Sequence, residues 1–279
     1  MESKFVQAGP VRLEYFEQGH GLDTLVLVHG YASSAAIWRY TLEHLPEDRF
    51  RVIVLNNRGA GESGRASPEG PFEEEDYSVE TFANDLYNVT KTLKLDGFTL
   101  VGHSMGGATV TQFALDHQSL IKGLVLMNPA PLFGRELKDG WEEELRESLK
   151  SPETPAGDMG FRASHVTDDF KRAVMADIAR NPVERFIGGR RSMARLNLRD
   201  RLSEIAVPTL VMGGDEDTTV GVENILAEYQ ALPKFYRNLH FYHGIGHSPN
   251  VEVGDWVARI VGDFSDKARS LKMQAQTSS

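Results

Sequence analysis

Four continuous apolar runs punctuate the first half of the chain: Thr24-Leu25-Val26-Leu27-Val28, Arg51-Val52-Ile53-Val54-Leu55, Gly97-Phe98-Thr99-Leu100-Val101 and Gly123-Leu124-Val125-Leu126-Met127. Apolar residues at successive positions suit strands covered on both faces, the condition of a parallel sheet between helices. The pattern resumes at Val207-Pro208-Thr209-Leu210-Val211-Met212 and Leu239-His240-Phe241-Tyr242. Residues 11–17 alternate and predict an edge strand. Between the runs, helical spacing predicts helices over about 35–45, 79–93 and 108–115, and a last one over about 253–264. Ser78 is placed to cap the second of these, with Phe82, Leu86, Val89 and Thr90 on its apolar face. Residues 65–76 read as a polar surface loop, and the polar tail after Lys267 is expected to fray.

This alternation predicts the α/β class, with a doubly wound, mainly parallel sheet. It breaks between 132 and 205, where charge is dense and helices are predicted near 140–150, 168–179 and 182–196. That stretch has no linker of its own, so the expected organisation is a core of 1–131 and 206–279 with a helical cap insertion at 132–205. The length of 279 residues accommodates one large domain carrying such an insertion. A net charge of −10 disfavours nucleic-acid binding by bulk electrostatics. No Cys is present, which removes disulfides, a thiolate nucleophile and Cys-based zinc sites. No run reaches the roughly 20 apolar residues of a membrane span, and the first residues lack an apolar stretch long enough for a signal peptide. The expected location is the cytoplasm, unless an export signal has been trimmed.

Ligands in open α/β sheets bind beyond the carboxyl ends of the strands, and the candidate chemistry lies at such ends. The run ending at Val101 enters Gly102-His103-Ser104-Met105-Gly106, a G-x-S-x-G turn between a strand and a helix. A serine on such a turn takes a strained backbone, and side chains on the flanking glycines would clash. A serine hydroxyl needs a base, and a histidine base needs an orienting carboxylate. The order in this class is serine, acid, histidine. Met212 is followed by Gly213-Gly214-Asp215-Glu216-Asp217, and Tyr242 by His243-Gly244-Ile245-Gly246-His247. Asp217 is the preferred acid, deeper in its loop than Asp215 or Glu216. His247 is the preferred base over His243 and His240. The backbone N–H groups of Met105 and Tyr31 are the candidate oxyanion donors. His29 is expected to bond loop backbone, and His103 to pack beneath the turn.

Together His29-Gly30, Arg58-Gly59-Ala60-Gly61-Glu62-Ser63, Gly102-His103-Ser104-Met105-Gly106, Gly214-Asp215-Glu216-Asp217 and Gly246-His247 resemble the α/β-hydrolase fold superfamily. The resemblance covers the chain outside 132–205, which corresponds in position to that family's cap. It implies Ser104 as nucleophile, Asp217 as acid, His247 as base, and Tyr31 and Met105 as the oxyanion hole. Serine at 104 departs from the aspartate of similar dehalogenases and epoxide hydrolases. Tyr31-Ala32 lacks the proline common there, and Asn56 stands where many relatives carry Asp.

The cap offers Phe133, Trp141, Phe161 and Phe186 as an apolar substrate-binding wall, together with Met159, Phe170, Met175 and Met193. Each is also explained by helix packing. Arg180, Arg185, Arg190, Arg191, Arg195, Arg199 and Arg201 crowd its second half, either as a solvated face or to recognise a substrate carboxylate or carbonyl. The expected function is a serine hydrolase for a carboxylic ester or lactone, needing no metal or organic cofactor. Its expected partner is a small-molecule substrate, with a homodimer admitted. Carbon–carbon hydrolase, perhydrolase and lyase chemistry on the same triad, and a ligand receptor with slow turnover, are the alternatives.

Overall fold

The first strand of the structure lies outside the run predicted to be the edge. The computed structural model describes residues 2–65, 73–150, 161 and 163–277. Its sheet contains β1 (Ser3–Ala8), β2 (Val11–Gln18), β3 (Asp23–Val28), β4 (Phe50–Leu55), β5 (Phe98–His103), β6 (Ile121–Met127), β7 (Thr209–Gly214) and β8 (Arg237–Tyr242). Their order is β1-β2-β4-β3-β5-β6-β7-β8. β1 and β2 pair antiparallel, as do β2 and β4, and the remaining pairs are parallel. Residues 11–17 are therefore internal, because β1 hydrogen-bonds along their free side. Met1, residues 66–72 of the predicted surface loop and Met159 lie outside the described residues.

The helices are α1 (Arg39–Leu42), α2 (Val79–Thr92), α3 (Met105–His117), α4 (Trp141–Ser148), α5 (Asp168–Ala179), α6 (Val183–Arg195), α7 (Val222–Ala231), α8 (Pro249–Glu252) and α9 (Gly254–Thr277). Strand side chains alternate between faces, so the central strands divide between two cores. Val26, Val28 and Leu100 join Val110 and Phe113 of α3 and Leu86 of α2. Leu25, Leu27 and Val101 join Val257 and Val261 of α9 on the other face. Ser78 caps α2 by accepting the Thr81 N–H at 3.1 Å.

Three elements differ from expectation. The helix predicted over 35–45 is a 3-10 turn, Ala35–Trp38, followed by the four residues of α1, with Trp38 fully buried. α7 occupies a stretch with no predicted helix. α9 runs to Thr277, and the turn just past the predicted end near 264 has partners: Ala268 packs where Gly123 has no side chain. Ser265 donates to Asp23 and Arg269 pairs with it.

The described residues between Leu132 and Arg199 connect β6 to β7. Their two ends meet, for the N–H groups of Leu198 and Arg199 both donate to the Leu132 carbonyl, at 2.6 and 3.1 Å. Phe170, Val174, Ile178 and Phe186 bury in the same cluster as Trp38 and Leu42, and each such burial is worth roughly 1.5–3 kcal/mol before entropy. Polar latches reinforce them. Tyr31 Oη donates to the Phe186 carbonyl at 2.8 Å, Val79 N–H to Ser192 Oγ at 2.9 Å, and Ser34 Oγ to Asp177 at 2.7 Å.

Glu228 of α7 anchors the stem by accepting the Leu132 N–H at 2.9 Å, while its other carboxyl oxygen has no partner. Burial pushes its pKa well above the usual carboxylate value, partly offset by the Leu132 bond. A group with a raised folded-state pKa stabilises fully below its unfolded pKa and loses that contribution as pH rises. Wild type is therefore expected to lose more melting temperature between pH 5 and pH 8 than Glu228→Gln, by a few degrees. Parallel melting curves for the two proteins would exclude this assignment.

Candidate active site

The parallel register sets the carboxyl ends of the strands level. Val28 stands beside Leu55 and Gly102, His103 beside Met127, Met127 beside Met212, and Gly214 beside Tyr242. Ser104, Asn128, Asp217 and His247 lie on the loops that leave these ends. The backbone bonding continues past the strands: Ser104 N–H donates to the Met127 carbonyl and Asn128 N–H to that of Met212, at 3.0 and 2.8 Å.

Ser104 sits at φ 55° and ψ −123°, a region L-residues rarely adopt. Gly106 permits the turn, since a Cβ there would lie 2.5 Å from the Val28 carbonyl oxygen. Met105 is the first residue of α3, so its N–H has no carbonyl partner within the helix. The His29-Gly30-Tyr31 loop abuts this turn, with Gly30 so close that a Cβ would stand 2.8 Å from Ser104 Cβ. The structure thus brings Tyr31, Ser104 and Met105 together.

His247 Nδ1 donates to Asp217 Oδ2 at 2.8 Å, leaving Nε2 as the nitrogen able to accept a proton. The Asp217 side chain is 0% exposed. Its second oxygen accepts the N–H groups of Thr219 and Val220, and Asn128 Nδ2 donates to Oδ2 at 2.6 Å. Burial alone would raise the Asp217 pKa, but the bonds from His247, Asn128 and Val220 outweigh it and hold the carboxyl at about 2. Gly214 lets the two loops meet, for a Cβ there would lie 2.0 Å from the Ile245 carbonyl oxygen. A second pair occupies the same loops. Asp215 accepts from His243 at 2.8 Å, but that histidine side chain is 97% exposed, against 19% for His247. His240 lies on β8 itself.

Two further histidines brace the site. Asn57 N–H donates to His29 Nε2, so the His29 proton resides on Nδ1, which donates to the Gly30 carbonyl at 2.9 Å. His29 therefore ties the loop after β3 to the loop after β4. His103 Nε2 donates to the His247 carbonyl at 2.8 Å, fixing the histidine loop to the residue before Ser104. Burial lowers both pKa values to about 3, aided by the charge of Arg185 at His29 and of His247 at His103.

Asn128 and the positioning role of His103 are absent from the sequence-based expectations. The one available signal was the position of Asn128 at the end of the strand between those bearing nucleophile and acid. Asn56 also acquires a reason. Its amide donates to the buried Glu14 carboxylate at 2.7 Å and its oxygen accepts the Ala35 N–H at 2.6 Å. An aspartate there would oppose Glu14 with a second negative charge.

The aromatic cap residues are dispersed. Phe186 packs edge-on to Tyr31 at 5.9 Å, beside the site. Phe161 is buried against Phe170. Trp141 lies under Arg190 and Arg191. Phe133 is 39% exposed beneath Arg199. A cavity of about 530 Å³ opens between α5 and the ends of β2 and β4, but none of Ser104, Asp217 and His247 lines it. Among the described residues no group of three or more His, Asp or Glu is arranged to hold a metal, and no helix is long and apolar enough to cross a membrane.

Known proteins share this fold. The chain is 28% identical over 284 residues to the 2-hydroxy-6-oxononadienedioate/2-hydroxy-6-oxononatrienedioate hydrolase of Paraburkholderia xenovorans strain LB400, covering 94% of each. It superposes on a bromoperoxidase from Bacillus anthracis with a TM-score of 0.80 at 23% identity, covering 94% of this chain and 99% of that one. It also superposes on a thermophilic esterase from Thermogutta terrifontis, with a TM-score of 0.73 at 25% identity over 96% and 99% of the two chains. The family model for the alpha/beta hydrolase fold matches residues 23–252. That span runs from the start of β3 to the end of α8 and takes in every strand end described above, so the chain belongs to the alpha/beta hydrolase fold family.

Proposed function

We propose that the protein is a serine hydrolase that cleaves a carboxylic ester or lactone through an acyl-enzyme. The observation that carries this is the bond at 2.8 Å between His247 and buried Asp217, docked through His103 onto the strained turn that bears Ser104. Ser104 Oγ attacks the carbonyl carbon while His247 Nε2 takes its proton. Asp217 keeps the other nitrogen protonated and stabilises the imidazolium. The N–H groups of Met105 and Tyr31 receive the charge that develops on the carbonyl oxygen. The imidazolium then protonates the leaving alkoxide, and water, giving its proton to His247, releases the acid. In this assignment residues 132–205 act as a helical cap over a core of 1–131 and 206–279. Phe186, against Tyr31, is the cap aromatic best placed to line the acyl pocket.

The Paraburkholderia relative supports a second reading. The compounds in its name are oxo-dienedioates with no ester linkage, so hydrolysis there implies a carbon–carbon bond, and the same triad would act on a vinylogous diketone.

Treatment with a fluorophosphonate, followed by peptide mass analysis, is the test. One adduct per chain is expected, on Ser104, together with multiple-turnover release of p-nitrophenol from short and medium p-nitrophenyl esters. Labelling elsewhere would refute the nucleophile. Labelling at Ser104 with no ester turnover, but cleavage of a diketone panel, would select the second reading.

A further inference from the structure

Ser104 is tied through its backbone to the loop that follows β6. Its N–H donates to the Met127 carbonyl and its own carbonyl accepts the Ala130 N–H, both at 3.0 Å. Between these anchors stands Asn128, fully buried, with its N–H on the Met212 carbonyl at 2.8 Å. Its side chain reaches the other two loops of the site. Nδ2 donates to Asp217 Oδ2 at 2.6 Å and, more weakly, to the Gly246 carbonyl at 3.4 Å. One amide nitrogen thus holds both the acid and the peptide that enters His247. The next carbonyl, that of His247 itself, is held by His103 at the end of β5.

Asparagine is retained here against two costs. Asn128 has φ 41°, in the left-handed region, where glycine carries no penalty and only Asn and Asp otherwise go readily. Its Oδ1 is buried without a partner among the described residues, and a buried acceptor with no donor is destabilising. Turning the amide over gives no relief, because Oδ1 would then face a carboxylate and a carbonyl, two acceptors. Glycine would remove the strain and the orphaned oxygen together. Ionised aspartate would bring acceptors to acceptors. Of the three residues that suit this backbone, only asparagine supplies an NH₂ group.

That NH₂ also completes the surroundings of the acid. Asp217 Oδ1 accepts the N–H groups of Thr219 and Val220, and Oδ2 accepts His247 Nδ1 and Asn128 Nδ2. Two donors share Oδ2, so Asn128 tempers the pull of that oxygen on the imidazole proton while fixing the direction in which it acts.

We propose that Asn128 is a positioning residue of the triad: its amide sets the acid and the base in register with the turn that bears Ser104, and tunes the bond between Asp217 and His247. It works through those groups and not on the substrate. The catalytic meaning rests on the serine hydrolase assignment above, whereas the link between the loops does not.

Asn128→Gly tests this, since glycine accepts the backbone. Its kcat on p-nitrophenyl esters is expected to fall about 10- to 100-fold, the scale of one hydrogen bond to a charged group. KM should change less than about 3-fold, because substrate contacts are untouched. In an Asp217→Ala background the same substitution should cost less than about 3-fold, the group it acts through being gone. In proton spectra the His247 Nδ1–H resonance should move downfield in Asn128→Gly, as Oδ2 loses its second donor. If that variant fails to fold, wild type decides: the Asn128 NH₂ signals should follow the His247 ring through its titration with one common midpoint.

Equal kcat losses with and without Asp217 would overturn the proposal. So would a change confined to KM, an unmoved Nδ1–H resonance, or NH₂ signals indifferent to the ring. A protein that cleaves no ester, yet shows the downfield shift and the shared midpoint, would retain the link and reject the ester hydrolase.

Discussion

Ser104→Ala is expected to lower kcat on p-nitrophenyl esters by at least about 10⁴, with the melting temperature nearly unchanged. Removing a triad nucleophile leaves only the catalysis supplied by binding and the oxyanion donors, and losses of up to about 10⁶ are the scale for such a change. The fold has little stake in the hydroxyl. What Ser104 contributes to structure is its backbone: its carbonyl accepts the N–H groups of Gly107 and Ala130, at 2.8 and 3.0 Å. Alanine retains both bonds and has the same Cβ against Gly30. Steady-state kinetics and a thermal melt on the same preparations check this. Activity within 10-fold of wild type would remove Ser104 from the mechanism, and a collapsed melt would mean that the turn itself had failed.

Asp217→Asn is expected to cost about 10⁴ in kcat, and this structure supplies a specific reason. Oδ1 of Asp217 accepts the N–H groups of Thr219 and Val220, at 2.8 and 3.1 Å, and those donors cannot turn away. An asparagine must keep its oxygen toward them, so its NH₂ faces His247. That NH₂ donates to Nδ1, which drives the imidazole proton to Nε2, the nitrogen required to accept the serine proton. It also confronts Asn128 Nδ2, a donor now without its acceptor. Nitrogen-15 spectra of the imidazole would report the tautomer directly. Unchanged Nδ1 protonation, or a loss below 10-fold, would show that Asp217 does not orient the base.

The sheet was legible because the strands β3 to β7 are covered on both faces, and only near-continuous apolar runs meet that demand. β1 was not, since its sequence SKFVQA is half polar and buries only Val6 and Ala8. Its place depends on pairing with β2. The 3-10 start of the helix at 35–38 was equally hidden, because helical spacing across 35–45 does not distinguish a 3-10 turn capped by Ser34 from an α-helical one. In the site, Ser104 and His247 were legible from local motif and position. Asp217 could be separated from Asp215 only by depth in its loop, and burial in the structure makes the same separation. What stayed hidden is relational. Asn128 meets Asp217 89 residues later in the chain, and His103 meets the His247 carbonyl 144 residues later. That no acid among the described residues pairs with buried Arg185 is likewise a property no local pattern encodes.

The three imidazoles gathered at this site have a practical consequence for interpreting rate profiles. His29 and His103 are both held neutral down to about pH 3, each with a ring nitrogen committed to a backbone group of a neighbouring loop. Neither changes protonation across the range in which such an enzyme would be assayed. An inflection in kcat/KM near neutrality cannot belong to either of them. Two rings that look like rival proton carriers serve instead as fixed struts between loops.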